Sequence, residues 1–147
     1  MPTENYLLGS QTTLLSTGLD ALADNALALS AAYDNTAGAA GDGSTLCDLE
    51  LVVSYASAPD AGSAVVVWLL ASQDGTNYED GGTSVTPLRI PDRAFPLRPV
   101  TGAQRIIRRV AMPPGLFKAL LKNDATGEAM AASGNTLKIR AVTFQSV

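Results

Sequence analysis

Polar and apolar residues alternate with period two through "TLCDLELVVSYAS" (45–57), where Cys47, Leu49, Leu51, Val53 and Tyr55 fall on one side. That pattern predicts a half-buried strand. After the turn "APDAGS", the run "AVVVWLLAS" (64–72) loses the alternation and is rich in β-branched residues, as a short strand buried on both faces would be. This pair is the centre of the predicted core.

Weaker signals flank it. "ALALSAAYDN" (26–35) reads as a modest strand whose alanines would also tolerate helix, and "TAGAAGDGS" (36–44) as a Gly-dense loop. Pro87, Pro91, Pro96 and Pro99 crowd one stretch, which predicts extended edge segments and excludes a helix there. "QRIIRRVAM" (104–112) is too short for a helix between those prolines and the following "PPG", so it is expected to be a strand. "LFKALLKN" (116–123) is bracketed by turn residues and reads the same way. "NTLKIRAVTFQSV" (135–147) closes the chain, with Leu137, Ile139 and Ala141 on one side and Lys138 and Arg140 on the other. Some seven or eight short strands separated by turns predict an all-β fold, an antiparallel, jelly-roll-like sandwich.

Residues 1–25 lack a sustained period. Leu14, Leu15, Leu19 and Leu22 would suit one short helical turn after Thr17, but Gly18 weakens it and Asp24-Asn25 stops it. The segment is expected to be an N-terminal arm or edge element ordered against a neighbour, with residues 26–147 as a single sandwich domain. A chain of 147 residues suits one domain, and at that size a fold buries roughly 68–70% of its unfolded surface without needing disulfides.

Charged residues make up only 16% of the chain against 46% hydrophobic, so Ser, Thr, Gly, Asn and Ala must cover much of the surface. Such a surface suits packing against other protein. The start "MPTENYLLGS" has no basic n-region, and the longest unbroken apolar run, Ala64 to Ala71, is far short of a membrane span. A soluble, unsecreted protein without a membrane partner is the expectation.

There is no histidine and one cysteine. Ser-His-Asp and Cys-His catalysis and the usual zinc sites are thereby excluded, and Cys47 reads as a small buried hydrophobe. No phosphate-binding or nucleophile-elbow motif is present. The remaining enzyme chemistry would need paired carboxylates or a metal held by carboxylates. Asp48 and Glu50 share a strand face and Glu79 and Asp80 are neighbours, but neither pair comes with a cleft signal. No enzyme and no cofactor is the expectation.

The loop "SQDGTNYEDGG" after Trp68 holds Asp74, Asn77, Glu79 and Asp80, which could ligate Ca²⁺ through oxygen. Thr76 and Tyr78 occupy the third and fifth positions, where the EF-hand spacing requires Asp or Asn, so a turn is expected and no metal. Trp68 and Tyr78 are the candidate glycan contacts, although Trp68 lies in the most apolar run of the chain, where a core tryptophan is expected.

Charge is segregated. Residues 1–88 hold 11 acids and no Lys or Arg, whereas residues 89–147 hold all 10 basic residues and 3 acids, giving −11 and +7 for the net −4. Either strands from the two halves interleave and the charges mix, or the molecule has an acidic and a basic face suited to neighbour contacts. Arg105, Arg108 and Arg109 are the candidate assembly contacts. Nucleic acid is not expected, given the net negative charge and the lack of interleaved aromatics.

In the order "LDALADNALALSAAYDN", "DLELVVSYASAPDAGSAVVVWLLASQDGTNYEDG" and "FPLRPVTGAQRIIRRVAMPPGLFKALLKNDATGEAMAASGNTLKIRAVTFQSV", the chain resembles a group of small virion proteins of tailed bacteriophages. The resemblance covers most of residues 19–147, and "DGTNYEDG", "PPGLFK" and "ASGNTL" carry it best. It implies a β-sandwich head-decoration (cement) protein in the virion, bound to the outside of the major capsid protein shell and often trimeric. It supplies no catalytic residue. A tail- or fibre-associated module binding host glycan is the alternative.

Overall fold

The alternating and all-apolar runs form strands because each has one or two faces to bury. The computed structural model describes residues 4–146. Its strands are β1 (Glu4–Leu15), β2 (Leu27–Asn35), β3 (Leu46–Val53), β4 (Ala64–Ala71), β5 (Arg93–Pro96), β6 (Gln104–Ala111), β7 (Gly115–Asp124) and β8 (Thr136–Ser146). A single 3₁₀ turn, Thr17–Leu19, is the one helical element among the described residues.

The strands form two four-stranded sheets, ordered β1-β8-β3-β6 and β2-β7-β4-β5. All pairings are antiparallel: first strand with last, second with seventh, third with sixth, fourth with fifth. Two further pairings, β3 with β8 and β4 with β7, complete the sheets. The connectivity is that of a long hairpin rolled on itself, an eight-stranded jelly-roll sandwich.

Between the sheets lies one core, built from the inward set Cys47, Leu49, Leu51 and Val53 of β3, Val65, Val67 and Leu69 of β4, Phe117, Ala119 and Leu121 of β7, and Leu137, Ile139 and Ala141 of β8. Burial pushes the Cys47 thiol up to about 12, which leaves it protonated and unreactive. The other side of β4 is buried as well: Val66, Trp68 and Leu70 cluster with Leu120 of β7. The chain between β4 and β5 covers that outer side. Gly81, at φ +151°, passes so close that a Cβ would stand 3.0 Å from Pro87 and 3.2 Å from both Leu70 and Leu120.

The segment expected to be an arm or edge element forms an edge strand of the first sheet. β1 pairs with β8 from Glu4↔Ser146 to Leu15↔Leu137, with a register break between Leu8 and Gln11. Leu15 and Leu19 sit in the main core, so this segment is integral to the sandwich.

At one end of the sandwich Asn123 ties three loops together. Its Nδ2 donates to the carbonyls of Leu22, Ala23 and Glu128 at 3.1, 3.2 and 2.8 Å. Its Oδ1 accepts the Tyr55 hydroxyl at 2.8 Å. Burial raises the Tyr55 pKa, so the phenol keeps the proton it donates.

Candidate interaction surface

Strand alternation decides which way each basic side chain of β6 points. Arg105, Ile107 and Arg109 oppose Val52, Glu50 and Asp48 of β3 on the outer face of the first sheet, whereas Arg108 opposes the core residue Leu49. The three arginines grouped in the sequence therefore divide. Arg105 and Arg109 share a surface, and Arg108 points to the other side of the strand, where it is exposed at the sheet edge.

β8 brings Arg140 opposite Asp48 and Lys138 opposite Glu50. Asp48 thus stands between basic neighbours on both sides, and Glu50 between Ile107 and Lys138, with Arg105 diagonal to it. Asp48 takes two bonds from Arg109, Nε to Oδ1 at 2.8 Å and Nη2 to Oδ2 at 3.1 Å, with Arg140 at 3.7 Å. Glu50 lies 3.4 Å from Arg105 and accepts Gln11 Nε2 at 3.4 Å. The Arg109 hydrogen bonds hold the Asp48 carboxyl below the usual carboxylate range.

The two signs lie at different depths. Both carboxylate side chains are 12% exposed, against 68% for Arg105, 46% for Arg109 and 37% for Arg140. What faces outward is positive, although the face contains both signs.

One end of the same face is apolar. Tyr6 opposes Phe144 and Leu8 opposes Val142, and Tyr6, Leu8 and Phe144 are 62%, 47% and 49% exposed. The two rings pack at 4.8 Å between centroids, tilted by 55°. Arg109 reaches over the Tyr6 ring at 5.8 Å, joining the aromatic end to the cationic middle.

The loop after β4 is organised by its own carboxylates. Asp74 Oδ1 accepts the backbone N–H of Thr76 and Asn77 at 2.8 and 2.7 Å, and its Oδ2 accepts Asn77 Nδ2 at 2.7 Å. These bonds, the Asn77 N–H first, lower the Asp74 pKa, so the oxygens that would suit a cation instead build the turn. Among the described residues no group of three or more Asp, Glu or Cys is placed to hold a metal ion.

Glu79 belongs to a different arrangement that the sequence reading missed. β5 pairs with β4 only as far as Val67↔Arg93, and side chains take over the exposed edge beyond. Asp92 Oδ2 accepts the Leu69 N–H at 2.7 Å, Arg89 Nη2 donates to the Leu69 carbonyl at 2.9 Å, and Glu79 Oε2 accepts the Ala71 N–H at 3.3 Å. Arg89 also bridges Glu79 at 3.0 Å and Asp92 at 2.9 Å. Spacings of 10 and 3 residues within a loop gave no motif to find.

Trp68 is buried, and its indole N–H donates to the Arg89 carbonyl at 3.0 Å. Lys118 covers the Tyr78 ring, with Nζ 4.4 Å from its centroid. The two candidate glycan contacts therefore form no open stacking platform. On either side of Arg89, Leu88 and Ile90 project into solvent, 99% and 85% exposed.

No family model matches this chain, and no curated protein is found to match it. Solved structures with a similar course include dimeric latent PorU from Porphyromonas gingivalis, at 12% identity and TM-score 0.46, covering 99% of this chain and 13% of that one. A family 35 carbohydrate-binding module from an environmental isolate matches at 11% identity and TM-score 0.39, covering 95% of this chain and 90% of the module. Turnip Yellow Mosaic Virus matches at 15% identity and TM-score 0.38, covering 99% of this chain and 94% of that one. Likeness at this level concerns the course of the strands and carries nothing about function.

Proposed function

We propose that this protein is a structural component of a tailed-phage virion, a non-catalytic head-decoration subunit that binds the outer surface of the capsid and stabilises it. The observation that carries this reading is the outer face of the first sheet, where arginines stand above half-hidden carboxylates beside the open Tyr6–Leu8–Phe144 patch. Aromatic side chains together with arginine are what protein interfaces concentrate at their centres. The pattern shared by residues 19–147 with tailed-phage virion proteins supports the virion as its place of action. A rigid jelly roll suits such a role, because weak contacts repeated over a shell add up to firm attachment.

Mixing the purified protein with undecorated phage heads tests this directly. The expected result, by electron microscopy, is saturable binding at a fixed set of sites and greater resistance of the heads to heat. Heads that stay bare at saturating protein reject the proposal.

A further inference from the structure

We propose that copies of this chain join head to tail, with Leu88 and Ile90 of one copy seated on the Tyr6–Leu8–Phe144 end of the cationic face of the next. The inference does not rest on the capsid reading: it assigns the apolar end of that face to the next copy and leaves the arginines beside it to the capsid.

Leu88 and Ile90 form a knob whose shape is set before any partner arrives. Arg89 lies between them in "PLRIP", and its side chain is held to Glu79, Asp92 and the Leu69 carbonyl while its own carbonyl takes the Trp68 indole N–H. With Arg89 anchored inward, its two neighbours point out. Pro87 and Pro91 restrict the backbone on both sides. A preformed apolar pair loses little freedom on docking, so most of its burial is retained as affinity.

The surroundings of the two patches are opposite in charge. Glu79 and Asp80 outnumber Arg89 by 2 to 1 in the lining of the cleft beside Leu88. Among the side chains described on the other face, Arg105, Arg109, Lys138 and Arg140 outnumber Asp48 and Glu50 by 4 to 2. Knob against face is thus attractive, and face against face or knob against knob is repulsive.

Within one chain the two cannot meet. Gly81 and Pro87 lie over the outer cluster of the second sheet, near Leu70 and Leu120, whereas Tyr6 and Phe144 lie on the outer face of the first, on β1 and β8. Contact between two different patches is heterologous, the kind that closes into a ring when the rotation allows.

The test is sedimentation velocity on the whole protein across a concentration series, with the double variants L88D/I90D and Y6S/F144S. Wild type is expected to associate with rising concentration. Each variant alone should weaken association roughly 100-fold, the scale of losing two central anchors. An equal mixture of the two variants should form a dimer and nothing larger, because one intact knob and one intact face remain. Melting curves check folding, and L8D replaces Y6S/F144S if that variant melts early. A monomeric wild type, a variant that associates as wild type does, or a mixture that stays monomeric overturns the proposal. A wild type that stays monomeric yet decorates heads sinks this inference alone, and bare heads with self-association intact sink the capsid reading alone.

Discussion

Arg109 and Asp48 occupy one register position of β6 and β3, and two parallel bonds of 2.8 and 3.1 Å join guanidinium to carboxylate across it. Because the folded Asp48 pKa lies below the ordinary value, the pair adds stability above about pH 4. That contribution drains as pH falls through the folded pKa. In Asp48→Asn the urea midpoint should drop less steeply with acidification than in wild type. Equal slopes would mean that the pair contributes nothing to acid sensitivity.

The side chains that finish the open edge of β4 should be visible in hydrogen exchange. Asp92→Ala removes the acceptor of the Leu69 amide, and that amide should then exchange faster while amides of β3 keep their protection. Arg89→Ala leaves the Leu69 carbonyl and two carboxylates without their donor, at a cost of about 1–3 kcal/mol. Unchanged exchange at Leu69 would show that solvent serves that edge equally well.

Asn123 should be among the more sensitive positions in the chain. Asn123→Ala strips the Tyr55 hydroxyl of its acceptor and leaves the Leu22, Ala23 and Glu128 carbonyls short of a donor. Each buried group left unpaired costs about 1–3 kcal/mol. Asn123→Asp should not rescue, since an ionised carboxylate cannot donate. Full stability in either variant, measured by chemical denaturation, would contradict the role given to this side chain.

Trp68 is the chain's single tryptophan, which makes its burial directly readable. Its emission should be blue-shifted, resistant to iodide, and unchanged by added oligosaccharides. Trp68→Ala should cost about 3–5 kcal/mol. A glycan-dependent change in emission would revive the carbohydrate reading.

The strands whose residues alternate or run apolar, β4, β7 and β8, were legible to within a residue or two because one physical demand, burial, writes their pattern; β3 was legible at its start but ends at Val53, four residues short of the alternation read through 57. β1 was not. Its adjacent pairs Leu7-Leu8 and Leu14-Leu15 blur the period, the register break after Leu8 shifts it, and Gln11 and Thr13 face solvent at a sheet edge. β5 showed only as proline-rich extended chain. On the cationic face, the residue types were evident but the grouping was not, since Arg108 separates from Arg105 and Arg109 only once the strand is placed. The Arg89 cluster depends on loop geometry that no period encodes, although "PLRIP", two large aliphatics between prolines, marks its place.

The pairing of β1 with β8 also orders events in time. β8 lies between β1 and β3, so until the last strand is synthesised β1 has no partner within its sheet. Non-local closures of this kind slow folding and lengthen the exposure of apolar strands. A nascent chain halted before Thr136 should therefore be a poor folder and a good chaperone client, and the protein's yield in a cell should depend on how quickly residues 136–147 leave the ribosome.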